Sequence, residues 1–140
     1  MPIKDLARDD IVTAQHDTSV SELAQKMRDE SVGSVVITND ASPIGIVTDR
    51  DLTMRVLAEE MSPDGQTAKD VMSTDLCKVG PEDGFYSAAQ VMSEHGVRRL
   101  PVCDENGELT GIITADDMTE LLADEHQHLA SVIQAQRPSY

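Results

Sequence analysis

Two stretches of the chain place a hydroxyl and a carboxylate where a strand would run into a helix. They are Gly45-Ile46-Val47-Thr48-Asp49-Arg50-Asp51 and Gly111-Ile112-Ile113-Thr114-Ala115-Asp116-Asp117. A helix that begins there offers unpaired backbone N–H groups and the positive end of its dipole, which suits phosphate. A carboxylate held at that turn can accept both hydroxyls of a ribose, and the Thr can bond a ribose or phosphate oxygen. Arg50 adds a cation at the first turn, whereas the second carries Ala115-Asp116 and none. The same Thr-x-x-Asp spacing is also a helix N-cap, in which each side chain serves the other residue's backbone N–H. Both readings stand at this point. The pattern occurs twice, each time closing a strand after Gly, and that weighs toward a nucleotide site.

The elements that must position these turns follow from an internal repeat. Lys4-Asp5-Leu6 lines up with Lys69-Asp70-Val71, and at the same offset Ala24-Gln25 meets Ala89-Gln90, Met27 meets Met92 and Val32 meets Val97. One residue is then gained, after which Gly45 to Thr48 meets Gly111 to Thr114 and Asp51 meets Asp117. The first helix of each copy shows its apolar face as Val20, Leu23, Ala24 and Met27, or Phe85, Ala88, Ala89 and Met92, at helical spacing. Ser19 with Glu22 reads as a capping box before the first of them. Val35-Val36-Ile37 and Leu100-Pro101-Val102 read as short buried strands, Asn39-Asp40 and Asn106-Gly107 as turns, and residues 44–48 and 109–114 as returning strands. A second helix follows each, bearing Leu52 and Val56, or Met118, Leu121 and Leu122.

The sequence thus predicts an α/β protein of two tandem β-α-β-β-α repeats, each preceded by a short lead-in helix. Residues 1–60 form repeat one, 61–67 a linker holding Pro63 and Gly65, 68–123 repeat two, and 124–140 a C-terminal tail. Leu129, Val132 and Ile133 continue the apolar spacing, so the tail is expected to be helical to about Ala135. Neither half covers its sheet alone, so the copies are expected to pack pseudo-symmetrically through their sheets. A chain of 140 residues can bury roughly two-thirds of its unfolded surface. With no Trp, one Phe and two Tyr, its core must be aliphatic and Met-rich.

Eleven Lys plus Arg stand against 26 Asp plus Glu, a net charge of −15. That argues against a nucleic-acid binder, because duplex affinity rests mainly on Lys and Arg meeting phosphates. Acidity this dispersed, with so few lysines, resembles proteins of halophiles; an ordinary acidic protein is the plainer reading. No apolar run is long enough to cross a bilayer, and the start, Met1-Pro2-Ile3-Lys4-Asp5, has no apolar core of a secretory signal. A soluble cytoplasmic protein is expected. Cys77, expected on the first strand of repeat two, and Cys103, at a strand end, are too few for a disulfide scaffold, with no zinc-finger spacing around them. His126 and His128 diverge on a helix and form no metal pair. No nucleophile has a partnered base, so no enzyme activity is expected.

From about Ile3 to Ala123 the chain resembles a tandem pair of cystathionine-β-synthase-type (CBS) domains. The resemblance rests on the lead-in Lys-Asp-(Leu/Val), the repeated Gly-hydrophobic-(Ile/Val)-Thr-x-x-Asp, and Val97-Arg98-Arg99-Leu100-Pro101-Val102 with His95 just before it. It implies a stand-alone regulatory module with clefts between the repeats that take AMP, ADP, ATP or S-adenosylmethionine. By motif match Asp51 and Asp117 hold ribose hydroxyls and Thr48 and Thr114 assist. Ile11, Leu76 and Pro101 flank the base, and Arg50, Arg98 and Arg99 meet phosphate. It further implies a homodimer through the second helices and an unidentified target protein. The two clefts are expected to differ, because Gly33-Ser34-Val35-Val36 stands in repeat one where Arg98-Arg99-Leu100-Pro101 stands in repeat two. The alternative is an interaction scaffold whose Thr-x-x-Asp turns are caps alone.

Overall fold

The computed structural model describes residues 1–138. After a single 3-10 turn at Ile3–Asp5 come β1 (Thr13–Gln15), α1 (Val20–Glu30), β2 (Ser34–Asn39), β3 (Ser42–Thr48) and α2 (Asp49–Leu52), which continues as a π-helical turn at Thr53–Leu57. Repeat two contains α3 (Ala68–Val71), α4 (Phe85–His95), β4 (Arg99–Cys103), β5 (Leu109–Thr114) and α5 (Ala115–Ala135). The second helix and the expected helical tail are therefore one continuous helix. Of the 124–140 tail, Ser139 and Tyr140 lie outside the described residues.

In the first sheet β1 runs parallel to β2 and β2 antiparallel to β3. The second sheet has only β4 and β5, antiparallel. Cys77, expected on a first strand of repeat two, lies outside any strand, and that strand contracts to one parallel bridge between Val79 and Val102. The reason is chemical. In repeat one Val36 N–H donates to the Val12 carbonyl, but the equivalent residue of β4 is Pro101, which has no N–H to give. Gly80 N–H is meanwhile taken by the Asp83 carboxylate at 2.8 Å.

Helix α1 buries Val20, Leu23 and Met27, and α4 buries Ala88 and Met92, as their spacing requires. Ala24, expected on the same face, is exposed. At the N-terminus of α1 only half of the expected capping box forms: Ser19 Oγ accepts from Glu22 N–H at 3.2 Å. The first helices end alike, at Ser31 (φ 55°) and at the equivalent Gly96 (φ 64°), both in the left-handed region.

The two cores are completed by exchange. The 3-10 turn that opens repeat one buries Ile3 among Val79, Leu100 and Ile113 of repeat two. The lead-in α3 of repeat two buries Ala68 and Val71 beside Leu23 and Val47 of repeat one. Each lead-in then bonds the returning strand of the other copy: Arg8 exchanges both backbone bonds with Ile112 at 2.9 Å, and Ser73 does the same with Ile46 at 3.0 and 3.1 Å. The motif glycines make room for this. A Cβ on Gly111 would stand 3.0 Å from the Arg8 carbonyl oxygen, and one on Gly45 would stand 2.8 Å from Met72 Cγ.

Candidate functional site

Both Thr-x-x-Asp turns sit where a strand passes into a helix, and each helix start is tied to the strand beside it. The first N–H of α2, on Asp49, donates to the Gly33 carbonyl at 3.0 Å, and that of α5, on Ala115, to the Arg98 carbonyl at 2.8 Å. At the first turn the cap closes on both sides. Asp51 N–H donates to Thr48 Oγ1 at 3.1 Å, and Thr48 N–H donates to Asp51 Oδ2 at 2.9 Å. Arg55, one helical turn on, approaches the same carboxylate at 3.9 Å.

The second turn is built differently. Asp117 N–H donates to Thr114 Oγ1 at 3.1 Å, but the carboxylate is gripped by Arg8, whose Nη2 lies 2.7 Å from Oδ1 and whose Nε lies 3.2 Å from both oxygens. Asp117 is 8% exposed. Burial pushes its carboxyl up, yet the hydrogen bonds and charge of Arg8, with those of Thr114, outweigh this and hold it below the usual carboxylate range. Arg8 was not singled out by the sequence. The signal available was that an arginine follows the first lead-in where the second has Ser73.

These groups line a cleft of about 340 Å³ between the repeats. Of the predicted residues it brings together Ile11, Arg99, Thr114 and Asp117. Gly33 and Ser34 form its far wall, and Arg8, Asp10, Asp116 and Glu120 add charge. Gly33 lets Arg99 in: a Cβ there would stand 3.1 Å from Arg99 Nη2. The arginine pair splits, because Arg98 turns outward to Asp116 at 2.8 Å, with both side chains exposed. Thr48, Arg50, Asp51, Leu76, Arg98 and Pro101 do not line this cleft. Arg50 is exposed and Leu76 half-buried. Pro101 is fully buried within the second sheet. By the pseudo-symmetry of the repeats, Leu76 and Pro101 are the counterparts of Ile11 and Val36 of this cleft.

Burial pushes the Cys103 thiol up, so it remains a protonated core group. Among the described residues no cluster of three or more His, Cys, Asp or Glu could hold a metal ion. No described helix is long and apolar enough to cross a membrane.

Residues 3–58 and 68–124 each match the family model of the CBS domain. A protein of Methanopyrus kandleri is 38% identical over 120 residues, which is 85% of this chain and 61% of that protein, so the chain spans less than two-thirds of it. The CBS domain-containing protein YhcV of Bacillus subtilis is 33% identical over 117 residues, 83% of this chain and 81% of that protein. Among solved structures, a CBS domain protein of Pyrobaculum aerophilum complexed with AMP superposes with a TM-score of 0.76 at 27% identity, covering 84% of this chain and 89% of that one.

Proposed function

This chain belongs to the CBS domain family, and we propose that it is a regulatory module that binds an adenine nucleotide in the Asp117 cleft. The observation that carries the reading is the convergence of Thr114, Asp117, Ile11 and Arg99 on one cleft between the repeats. The ribose hydroxyls bond the Asp117 carboxylate, displacing the Arg8 side chain. The base lies against Ile11 and Val36, and Arg99 faces the 5′ group. The AMP complex of the Pyrobaculum relative supports this ligand class. In the second cleft Asp51, Thr48, Leu76 and Pro101 take the equivalent roles, with Arg50 and Arg98 as its outlying cations.

The output runs through a homodimer or a separate target protein. Two equivalent grooves support a dimer face, one of about 770 Å³ along Val20, Ala24, Leu52 and Leu57, the other of about 400 Å³ along Phe85, Ala89, Met118 and Leu122. Val56 and Met118 are buried against the cores, which leaves Leu52, Leu57 and Leu122 for that face. Ligand shifts such an interface by no more than its differential affinity for the two states.

Thermal melts with AMP, ADP, ATP and S-adenosylmethionine test the reading. A ligand at about 100 times its Kd stabilises by roughly 2.7 kcal/mol, a rise of several degrees; Asp117→Asn removes the share owed to its cleft, and Asp51→Asn with Asp117→Asn abolishes the rise. The competing reading, a scaffold with empty clefts, is favoured at one site by the fully closed Thr48–Asp51 cap. It predicts no shift with any compound, and small stability losses alone in Asp51→Asn and Asp117→Asn.

A further inference from the structure

The charges that line the Asp117 cleft set a limit on what it can hold. Six charged side chains face it: Arg8, Arg99, Asp10, Asp116, Asp117 and Glu120. Asp116 is neutralised by Arg98 at 2.8 Å, outside the lining. Arg8 is committed to Asp117 at 2.7 Å and also feels Asp10 and Glu120. Arg99 makes no ion pair within 4.0 Å among the described residues, so it is the one lining cation left for a ligand, and two carboxylates oppose it.

We infer that the Asp117 cleft selects an adenosine compound bearing at most one phosphate and excludes the di- and triphosphates. This rests on the nucleotide reading above and names the ligand class of that site. When ribose hydroxyls take the Asp117 carboxylate, the Arg8 guanidinium is released into the cleft beside Arg99. The two cations then match one phosphate monoester, which carries about −1.5 to −2 charge at pH 7. Any further phosphate meets Asp10 and Glu120 with no cation left over. Repulsion of this kind acts through affinity ratios, by penalising the wrong ligand.

The test is isothermal titration of AMP, ADP and ATP, in EDTA, into the Asp51→Asn chain, so that one cleft is read. AMP is expected to bind at least about tenfold tighter than ATP, with ADP between them. Asp10 and Glu120 are both exposed, so Asp10→Asn with Glu120→Gln leaves the fold intact. That variant should narrow the AMP-to-ATP gap to about twofold. Raising salt from 0.1 M to 1 M shortens the Debye length from about 10 to about 3 Å and should narrow it too. ATP binding as tightly as AMP overturns the inference and leaves the nucleotide reading standing, as does a gap unmoved by the double substitution. Absence of binding by every nucleotide overturns both.

Discussion

Arg8 forks onto Asp117 across 109 residues of chain, with Nη2 at 2.7 Å and Nε at 3.2 Å from the carboxylate. The pair fastens the first segment to the last helix and places a guanidinium on the oxygens that a ribose would need. Asp117 thus gives its N–H to the Thr114 cap of α5, while its carboxylate is both the anchor for the exchanged lead-in and the centre of the proposed site. Its pseudo-symmetric counterpart Asp51 is held by its own helix turn and by Arg55 at 3.9 Å, so the two carboxylates respond differently to the same substitution.

The pH dependence of stability follows from that pair. The carboxyl of Asp117 is held down in the folded chain, while in the unfolded chain it titrates near 3.9. Between those values the unfolded chain binds more protons, so stability rises with pH and is lost as pH falls through about 4 and below. Urea melts from pH 7 to pH 3 should show wild type losing more stability than Asp117→Asn over the acid end. Parallel curves would show that the pair contributes nothing.

Ile3 stands near the start of the chain, where truncation to Ala is ordinarily harmless. Here it is 1% exposed and packs in the core of repeat two. Ile3→Ala should therefore cost about 2 to 4 kcal/mol, read as a fall in the urea midpoint. A change under about 0.5 kcal/mol would mean that the lead-in does not dock on the second repeat.

Gly45 faces Met72 so closely that a Cβ would meet Met72 Cγ at 2.8 Å and Cβ at 3.1 Å, which moves the whole side chain rather than its tip. Gly45→Ala should lose about 1 to 3 kcal/mol through overpacking. Gly65→Ala, where the nearest atom lies at 3.5 Å, serves as the neutral control in the same thermal melts.

Ser31 adopts φ 55° at the end of α1, a conformation that strains any side chain. The equivalent position in repeat two is Gly96. Ser31→Gly should raise stability by about 0.5 to 1 kcal/mol, as the left-handed helix terminus prefers glycine. A loss of that size instead would show that the Ser31 side chain makes up for its strain.

Much of the fold is legible in the sequence because it depends on neighbours along the chain. Val20, Leu23 and Met27 share a helix face through a 3.6-residue period, and the Thr48-x-x-Asp51 cap closes within one turn. The repeat announces that two such units exist. Pro101 already marks where the first strand of repeat two loses its partner, though the consequence for Cys77 emerges only once the ladder is built. What the pattern could not assign is which lead-in serves which core. Ile3 and Leu6 present the same short apolar signature as Ala68 and Val71, so docking at home and docking on the other copy satisfy the sequence equally.

The tertiary packing alone resolved that degeneracy, by exchange, because Gly45 and Gly111 leave each returning strand open to the opposite lead-in. From the exchange come Arg8 at Asp117 and a cleft that draws its walls from both repeats. Each depends on side chains more than 60 residues apart meeting in space, and no local periodicity carries that information.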